Sequence, residues 1–187
     1  MAPRAVEPIE PSAAAQGRVV VTGPESTGKT TIAQQLAVRF DAAWVPEYAR
    51  EYSEFAGRTL AEQDVEPIAR GQMALQDAAL RSDHPLLVFD TDLVSTVVYA
   101  RHYYAHCPEW IVSAARKRLA NLYLLLDVDV AWTADGVRDQ PQARSGLHDR
   151  FREQLRVFGA RVVEIRGKGA QRLESAVQAT RRHLVSV

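Results

Sequence analysis

The fold of this chain is decided by the stretch Gly23-Pro24-Glu25-Ser26-Thr27-Gly28-Lys29-Thr30. It matches the pattern G-x-x-x-x-G-K-[ST] of a phosphate-binding loop, which is trusted when a strand leads into it and a helix follows. Both conditions are met, because a β-branched run at positions 19–21 precedes the loop and apolar residues recur at helical spacing after it, at 32, 33, 36, 37 and 40. A plain glycine turn between strand and helix is the alternative, but four fixed positions rarely match by chance in a chain of 187 residues.

The loop has the chemistry needed to bind a nucleoside triphosphate. Its backbone N–H groups and the N-terminus of the following helix form a concave anion site. Lys29 would place a positive charge on the β- and γ-phosphates, and the Thr30 hydroxyl would coordinate Mg²⁺, which prefers oxygen ligands. We therefore expect ATP and Mg²⁺ as cofactors, with the nucleotide bound by every loop residue from Gly23 through Thr31.

The composition is that of an ordinary globular domain, with 47% apolar and 25% charged residues. Lys plus Arg equals Asp plus Glu at 23 each, so we expect neither nucleic acid nor a membrane surface as a partner. The longest basic cluster, Arg116-Lys117-Arg118, is interpreted as a solvated helix face. Because the lone Cys107 cannot form an internal disulfide, the reducing cytoplasm is the expected compartment.

We divide the chain into a tail at residues 1–17 and a single domain at residues 18–187. The tail carries three prolines and two glutamates before position 12 and no apolar core, which predicts disorder rather than a signal peptide. No window approaches 18 uninterrupted apolar residues, so no membrane-spanning helix is expected.

Four further short apolar segments predict strands, at 42–45, 85–89, 122–126 and 161–165. Helical patterns lie between them, marked by apolar residues in 65–73, 147–158 and 173–184. Strands that alternate with helices require right-handed crossovers, which predicts an α/β fold with a five-stranded, mainly parallel sheet covered by helices on both faces. Ligands of such sheets bind at the carboxyl ends of the strands.

Two acidic residues, Asp90 and Asp92, follow the third predicted strand. A carboxylate that closes an apolar strand beside a phosphate loop lies near the Thr30 hydroxyl, so Asp90 is our candidate Mg²⁺ ligand. Asp92 is a candidate for binding substrate hydroxyls or for the base that takes their proton. Capping of a helix that starts at Leu93 is an equal alternative for Asp92.

Glu47, Tyr48 and Arg50 follow the second predicted strand. The position of Glu47 also suits the first turn of a helix, which is the structural alternative for its carboxylate. We favour a functional interpretation, in which these three residues hold a hydroxylated acceptor and Glu47 takes the proton of the attacking hydroxyl. Since Tyr48, Tyr52 and Phe55 recur at i, i+4 and i+7, at least two of them are expected in the core.

A polar, arginine-rich segment follows the fourth predicted strand, and its composition is typical of a lid. Phosphoryl transfer needs positive charge on the γ-phosphoryl group and exclusion of water. We therefore assign Arg138 to catalysis and Arg144 to nucleotide binding, with Arg150 and Arg152 as further candidates. The alternative is a solvated loop whose arginines pair with nearby aspartates. Trp132 would either pack the hinge of the lid or stack on the substrate ring.

Another cluster, His102, His106 and Cys107, superficially suggests zinc. No fourth ligand follows at a usual spacing, so we interpret the two histidines as surface or helix-end residues.

Together these segments resemble the ribosylnicotinamide kinase domain of NadR-type NAD biosynthesis proteins. The resemblance is carried, in order, by the phosphate loop at 23–31, E-Y-A-R-E-Y at 47–52, F-D-T-D at 89–92 and W-T-A-D-G-V-R at 132–138. It spans about residues 18–185. The last three elements are more selective than the loop, which many unrelated NTPases share.

The resemblance implies a P-loop NTPase fold of the nucleoside- and nucleotide-kinase type. It also implies ATP-dependent phosphorylation of the ribose 5′-hydroxyl of nicotinamide riboside, with Glu47, Asp90 and Asp92 handling the acceptor and Mg²⁺, and Arg138 in the lid. Full-length members add an adenylyltransferase domain, and some a DNA-binding domain, ahead of the kinase. The seventeen or so residues before the first strand here predict neither.

Two alternatives stay open from the sequence. One is a kinase of the same class with another nucleoside or hydroxylated acceptor, and the other is a P-loop ATPase that couples hydrolysis to a partner. The strand-end carboxylates and the arginines favour a kinase, because a partner-coupled ATPase needs no acceptor pocket. In the favoured mechanism no covalent intermediate forms, and Lys29 and the lid arginines stabilise charge on the transferring phosphoryl group.

Overall fold

The structure is a computed structural model that describes residues 16–130 and 144–184. Most of the predicted tail, together with Trp132 and Arg138, therefore lies outside the described residues. The strands are β1 (Gly17–Thr22), β2 (Ala43–Val45), β3 (Leu86–Asp90), β4 (Leu122–Leu126) and β5 (Val162–Ile165). The helices are α1 (Lys29–Phe40), α2 (Tyr48–Ala56), α3 (Val65–Ala79), α4 (Leu93–Tyr104), α5 (Glu109–Lys117), α6 (Arg144–Phe158) and α7 (Gly169–Leu184), with a short 3-10 helix at Glu62–Asp64.

The strands form one parallel sheet in the order β2-β3-β1-β4-β5. This confirms the predicted α/β fold and places β1, which leads into the phosphate loop, at the centre. Val21 of β1 pairs with Asp90 of β3 on one side and with Leu124 of β4 on the other. The carboxyl ends of the three central strands therefore meet at one edge of the sheet, which is where a ligand of this fold binds.

Both faces of the sheet are buried, because side chains alternate along each strand and helices cover each side. Val19 and Val21 face α1 and α7, whereas Val20 faces the layer formed by α3, α4, α5 and α6. Burying one leucine stabilises such a fold by about 1.5–3 kcal/mol. The sheet is therefore a rigid base for the loops at its carboxyl edge.

The prediction for the aromatic residues of α2 is wrong. Phe55 is 92% exposed, and Tyr48 and Tyr52 are only half-buried. The helix packs against α3 rather than on the sheet, and the ring of Tyr48 lies over Gly71. A Cβ atom at Gly71 would be 2.0 Å from Cε1 of Tyr48. The i, i+4, i+7 spacing therefore marks a helix-to-helix contact at a glycine and not a core stripe.

Among the described residues, no helix combines the length and the apolar character that crossing a membrane requires.

Candidate active site

The phosphate loop connects β1 to α1 in the conformation that an anion site requires. Ser26 and Gly28 have positive φ values of 54° and 82°, so left-handed residues occur within the loop and turn its N–H groups to one side. Gly23 has a φ of 137°, and a Cβ atom there would lie 2.9 Å from the carbonyl oxygen of Leu126. Glycine at position 23 is therefore required by both conformation and space.

Lys29, the first residue of α1, is folded back over the loop. Its Nζ donates a hydrogen bond to the Pro24 carbonyl oxygen at 2.8 Å, and the Thr27 hydroxyl donates to the same oxygen at 2.8 Å. The lysine is 9% exposed. Its ammonium group is thus held at the loop, where it can transfer its hydrogen bond to a bound phosphate.

Asp90 ends β3 directly beside the loop, as the sequence predicted for a metal ligand. A hydrogen bond from the Thr30 hydroxyl reaches its carboxylate. The other oxygen of this buried carboxylate, Oδ1, has no hydrogen-bond partner among the described residues. An orphaned, buried carboxylate oxygen beside a threonine hydroxyl is a set of hard oxygen donors that fits Mg²⁺.

The surroundings of Asp90 make its ionisation costly. Burial, and then the nearby Glu47 carboxylate, raise its pKa to about 6. The hydrogen bond from Thr30 and the charges of Lys29 and Arg50 lower the pKa, but they do not offset burial. Five of the residues predicted for the site are therefore close enough to interact electrostatically, which is typical of a functional site.

Glu47 occupies the N-cap position of α2, yet its side chain makes no capping hydrogen bond. The backbone on both sides of Glu47 is fixed by Gln72 of α3, which accepts from the Tyr48 N–H at 2.8 Å and donates to the Pro46 carbonyl at 3.3 Å. Gln72 is 2% exposed. The carboxylate of Glu47 is thus presented from a rigid support.

Asp92 has the structural role that the sequence left as an alternative. Its Oδ1 accepts the Val94 N–H at 2.9 Å and caps α4, and its Oδ2 accepts the Tyr123 hydroxyl at 2.5 Å. Burial raises the pKa of Asp92 to about 6, and hydrogen bonds, first that from Tyr123, oppose this shift. Since both oxygens are engaged inside the core, we withdraw Asp92 as catalytic base and as substrate ligand.

A cavity of about 340 Å³ opens beside Glu47 and Thr91. Its walls are α2, α3, α4 and the segment 59–61, and most of its lining is apolar or aromatic. Tyr99 and Tyr103 of α4 line it with their rings stacked, 6° from parallel and 6.2 Å apart. Two of its polar residues, Glu47 and Thr91, follow the carboxyl ends of β2 and β3 at the sheet edge. Such a cavity suits a small molecule with an apolar ring and a hydroxylated part.

The segment that closes this cavity is held by the buried carboxylate of Asp64. The Asp64 carboxylate accepts hydrogen bonds from both terminal nitrogens of Arg58, at 2.6 and 2.7 Å. It also accepts hydrogen bonds from the Tyr52 hydroxyl and the Ala61 N–H. The hydrogen bonds from Arg58 hold the pKa of Asp64 well below its usual range, so the Asp64 carboxylate stays charged. The Tyr104 hydroxyl adds a bond to the Leu60 carbonyl at 3.1 Å.

A second cavity, of about 600 Å³, borders the phosphate loop itself. It is lined by loop residues Ser26, Thr27 and Gly28, by Thr31 of α1, and by the start of α7. The two cavities share no lining residue, so the one beside Glu47 and the one beside the phosphate loop can hold two different small molecules.

Two predicted nucleotide-binding residues make protein contacts instead. Glu25, 2% exposed, accepts the Tyr99 hydroxyl at 3.2 Å. Arg144, predicted on the lid, begins α6 and is buried, with its Nη2 on the Ser26 carbonyl at 3.2 Å and its Nη1 on the Val130 carbonyl at 3.2 Å. Arg152, a further candidate, forms salt bridges with Asp149 and Glu164.

Sequence reasoning missed two supporting residues, Gln72 and Arg172. Arg172 of α7 is 3% exposed and donates to the carbonyls of Thr27, Asp127 and Gly167 as well as to Asp129. Each residue is a polar side chain on the buried face of its helix, at the i, i+4 spacing of its apolar neighbours. A polar residue at a position where the helical pattern predicts an apolar one is the signal that could have identified them, because buried polar groups need partners.

The fold and the loop define the chain as a nucleotide-binding P-loop domain. The family model described as an AAA domain matches residues 18–172, and the chain belongs to that family. Thymidylate kinase of Candida albicans shares the fold, with a TM-score of 0.66 at 14% identity over 89% of this chain and 91% of that one.

The resemblance to NadR-type proteins is confirmed by similarity in sequence and structure. The trifunctional NAD biosynthesis/regulator protein NadR of Escherichia coli is 31% identical over 124 residues, 64% of this chain and 30% of the relative. The Salmonella typhimurium protein gives the same values. A crystal structure of NadR in complex with nicotinamide riboside matches with a TM-score of 0.83 and 26% identity, over 92% of this chain and 52% of that one. This chain thus spans less than a third of the curated relatives it matches and about half of the solved one.

Proposed function

We propose that this chain is a kinase that transfers the γ-phosphoryl group of ATP to the ribose 5′-hydroxyl of nicotinamide riboside. The observation that carries the proposal is the cavity of about 340 Å³ lined by Glu47 and Thr91, which is separate from the cavity at the phosphate loop. A P-loop protein that only hydrolyses ATP has no use for an enclosed acceptor cavity at this place, whereas a kinase requires one.

The chemistry of the acceptor cavity suits nicotinamide riboside. The molecule has a cationic aromatic ring and a ribose with three hydroxyl groups. The stacked Tyr99 and Tyr103 rings offer π-faces to the cation, and the polar end of the cavity offers Glu47 to the hydroxyls. NadR, the relative with matching fold, has been crystallised with nicotinamide riboside, and also with NAD and AMP-PNP.

The loop and its neighbours supply the groups for phosphoryl transfer. Lys29 binds the β- and γ-phosphates, for which it gives up its bond to the Pro24 carbonyl. Thr30 and Asp90 would hold Mg²⁺, which neutralises charge on the phosphates when it is bound. Arg138, outside the described residues, is proposed to add positive charge to the transferring group.

Glu47 is the proposed base. It lines the acceptor cavity, it interacts with Asp90, and its backbone is fixed by Gln72. With Asp92 capping α4, Glu47 is the carboxylate best placed to accept the proton of the attacking hydroxyl and to orient that hydroxyl in line with the γ-phosphorus. The positive charge of Arg50 interacts with Asp90 and opposes the repulsion between Asp90 and Glu47.

The test is ADP release from Mg-ATP, measured with and without nicotinamide riboside and with uridine, cytidine and adenosine as other acceptors. The proposal predicts strong stimulation by nicotinamide riboside and none with Lys29→Ala protein. Stimulation by another nucleoside alone would retain the kinase and replace its substrate. Hydrolysis that no acceptor changes would refute the kinase in favour of a partner-coupled ATPase.

A further inference from the structure

Two buried arginines that lie outside the sequence motif contact backbone carbonyls of the phosphate loop. Arg144 of α6 is 7% exposed and donates to the Ser26 carbonyl at 3.2 Å. Arg172 of α7 is 3% exposed and donates to the Thr27 carbonyl at 2.5 Å. The two carbonyls belong to consecutive peptide groups of the loop. Burying a guanidinium is costly, so its contacts there are expected to matter.

The direction of these contacts determines where the loop N–H groups point. A peptide group is planar and trans, so its N–H points opposite to its C=O. When the arginines hold the Ser26 and Thr27 carbonyls, the N–H groups of Thr27 and Gly28 must point away from the arginines. The N-terminus of α1 and the Lys29 ammonium group, which lies on the Pro24 carbonyl, add further donors of the kind that bind an anion.

Arg172 is itself fixed by the loops that follow β4 and β5. It donates to the Asp127 carbonyl at 2.8 Å and to the Gly167 carbonyl at 2.7 Å, and it forms a salt bridge with Asp129. Asp129 also accepts the Gly167 N–H at 2.6 Å. The planar guanidinium group of Arg172 therefore donates to four acceptors, three backbone carbonyls and the Asp129 carboxylate. The ammonium group of a lysine cannot reproduce this geometry.

We propose that Arg172, assisted by Arg144, is a positioning residue that holds the phosphate loop in its anion-binding form. It lines the cavity of about 600 Å³ beside the loop, but the role we assign to it is to hold the Thr27 carbonyl and not to bind the phosphates. Its charge is balanced by Asp129, so it serves to orient the loop dipoles more than to add a positive field. The inference rests on the proposed function only in taking ATP as the nucleotide.

The experiment compares Arg172→Gln and Arg172→Lys with Arg166→Gln in the full chain. Arg166 is the matched control, because it is 69% exposed on its side chain and pairs with Asp127 and Glu164 in the same region without contacting the phosphate loop. The probes are inorganic tripolyphosphate and adenosine, each titrated by NMR without acceptor. Thermal unfolding is recorded for every variant, and Arg172→Lys decides the outcome if Arg172→Gln does not fold.

The proposal predicts that both Arg172 variants bind tripolyphosphate about tenfold more weakly, equivalent to 1.4 kcal/mol, with adenosine unchanged within about twofold. The control variant should bind both probes like the wild type. In turnover, the KM for ATP should rise and the KM for nicotinamide riboside should not. Unchanged tripolyphosphate binding would overturn the proposal, and so would an equal loss for adenosine, which would make Arg172 a nucleoside ligand. Because these titrations need no acceptor, they are independent of whether nicotinamide riboside is the substrate.

Discussion

Replacing Asp90 with asparagine should stabilise the protein while abolishing its activity. Asp90 is 1% exposed, and one of its oxygens has no hydrogen-bond partner among the described residues. A pKa that rises from 3.8 to about 6 on folding corresponds to about 3 kcal/mol of lost stability for the ionised form. Asparagine has nearly the same shape and can still accept the Thr30 hydrogen, but it carries no charge to desolvate or to repel Glu47.

The stability gained by Asp90→Asn must increase as the pH rises. Below pH 3.8 the Asp90 carboxyl is protonated in both the folded and the unfolded protein, so the penalty is absent. Between pH 3.8 and about 6 the unfolded chain releases the proton first, and the penalty grows. Above about pH 6 it is fully present. The advantage of Asp90→Asn should therefore be about 3 kcal/mol at pH 7 and should vanish near pH 4.

Urea unfolding of the protein without nucleotide, at pH 7 and pH 4, measures this difference. Asp149→Asn is the control, because Asp149 is 70% exposed on its side chain and its substitution should change stability by less than about 0.5 kcal/mol. A loss of stability in Asp90→Asn at pH 7 would show that the ionised Asp90 carboxylate does not destabilise the fold. A gain of equal size at both pH values would do so too, since the effect would then not come from ionisation.

Four other predictions follow from the site. Lys29→Ala should lower kcat about a hundredfold or more in the ADP-release assay, and near-normal turnover would contradict the assignment of the loop. In the wild type, kcat/KM for ATP should fall about tenfold from pH 7 to pH 5, as Asp90 becomes protonated below about pH 6, and a flat profile would exclude its ionisation as a requirement. Gly71→Ala should destabilise the protein by about 1–2 kcal/mol through its clash with Tyr48, although alanine is the better helix former, and a gain in Tm would contradict the packing described. Asp64→Asn should raise the KM for nicotinamide riboside about tenfold with little change in the KM for ATP, because Asp64 holds the segment that closes the acceptor cavity. Equal changes in both KM values would show that the hydrogen bonds of Asp64 do not serve the acceptor cavity.

Much of the fold could be predicted from the sequence because its signals are local. The β1 strand, the loop and α1 follow from one motif with its flanking residues, and β4 is found at the predicted residues 122–126. Strands β2 and β5 begin one residue later than predicted, and β3 is shifted by one residue at both ends. The shift in β3 matters most, since it makes Asp90 the last residue of the strand and pairs it with Val21.

The errors concern features that depend on packing between distant segments. The aromatic spacing in α2 gave no indication that a glycine on α3 would receive the ring of Tyr48. The two functions considered for Asp92 could not be separated without Tyr123, which lies 31 residues away and engages the second carboxylate oxygen. Arg144 was predicted on a lid as a nucleotide-binding residue, but it contacts the Ser26 carbonyl of the phosphate loop across 118 residues of sequence.

The supporting residues were missed for a related reason. Gln72 and Arg172 act on backbone groups of other segments, and a backbone carbonyl has no sequence signature. Strand-end carboxylates can be predicted, because the end of a strand specifies where the side chain lies. Residues that hold them in position require the tertiary structure.

The proposed kinase reaction is best tested by identifying the product formed from nicotinamide riboside and Mg-ATP. Tandem mass spectrometry and ³¹P NMR of that product would determine whether a phosphate has been added and to which oxygen. We expect a gain of one phosphate on the ribose 5′-oxygen, in one-to-one proportion to ADP. ADP formation with nicotinamide riboside recovered unchanged would contradict it.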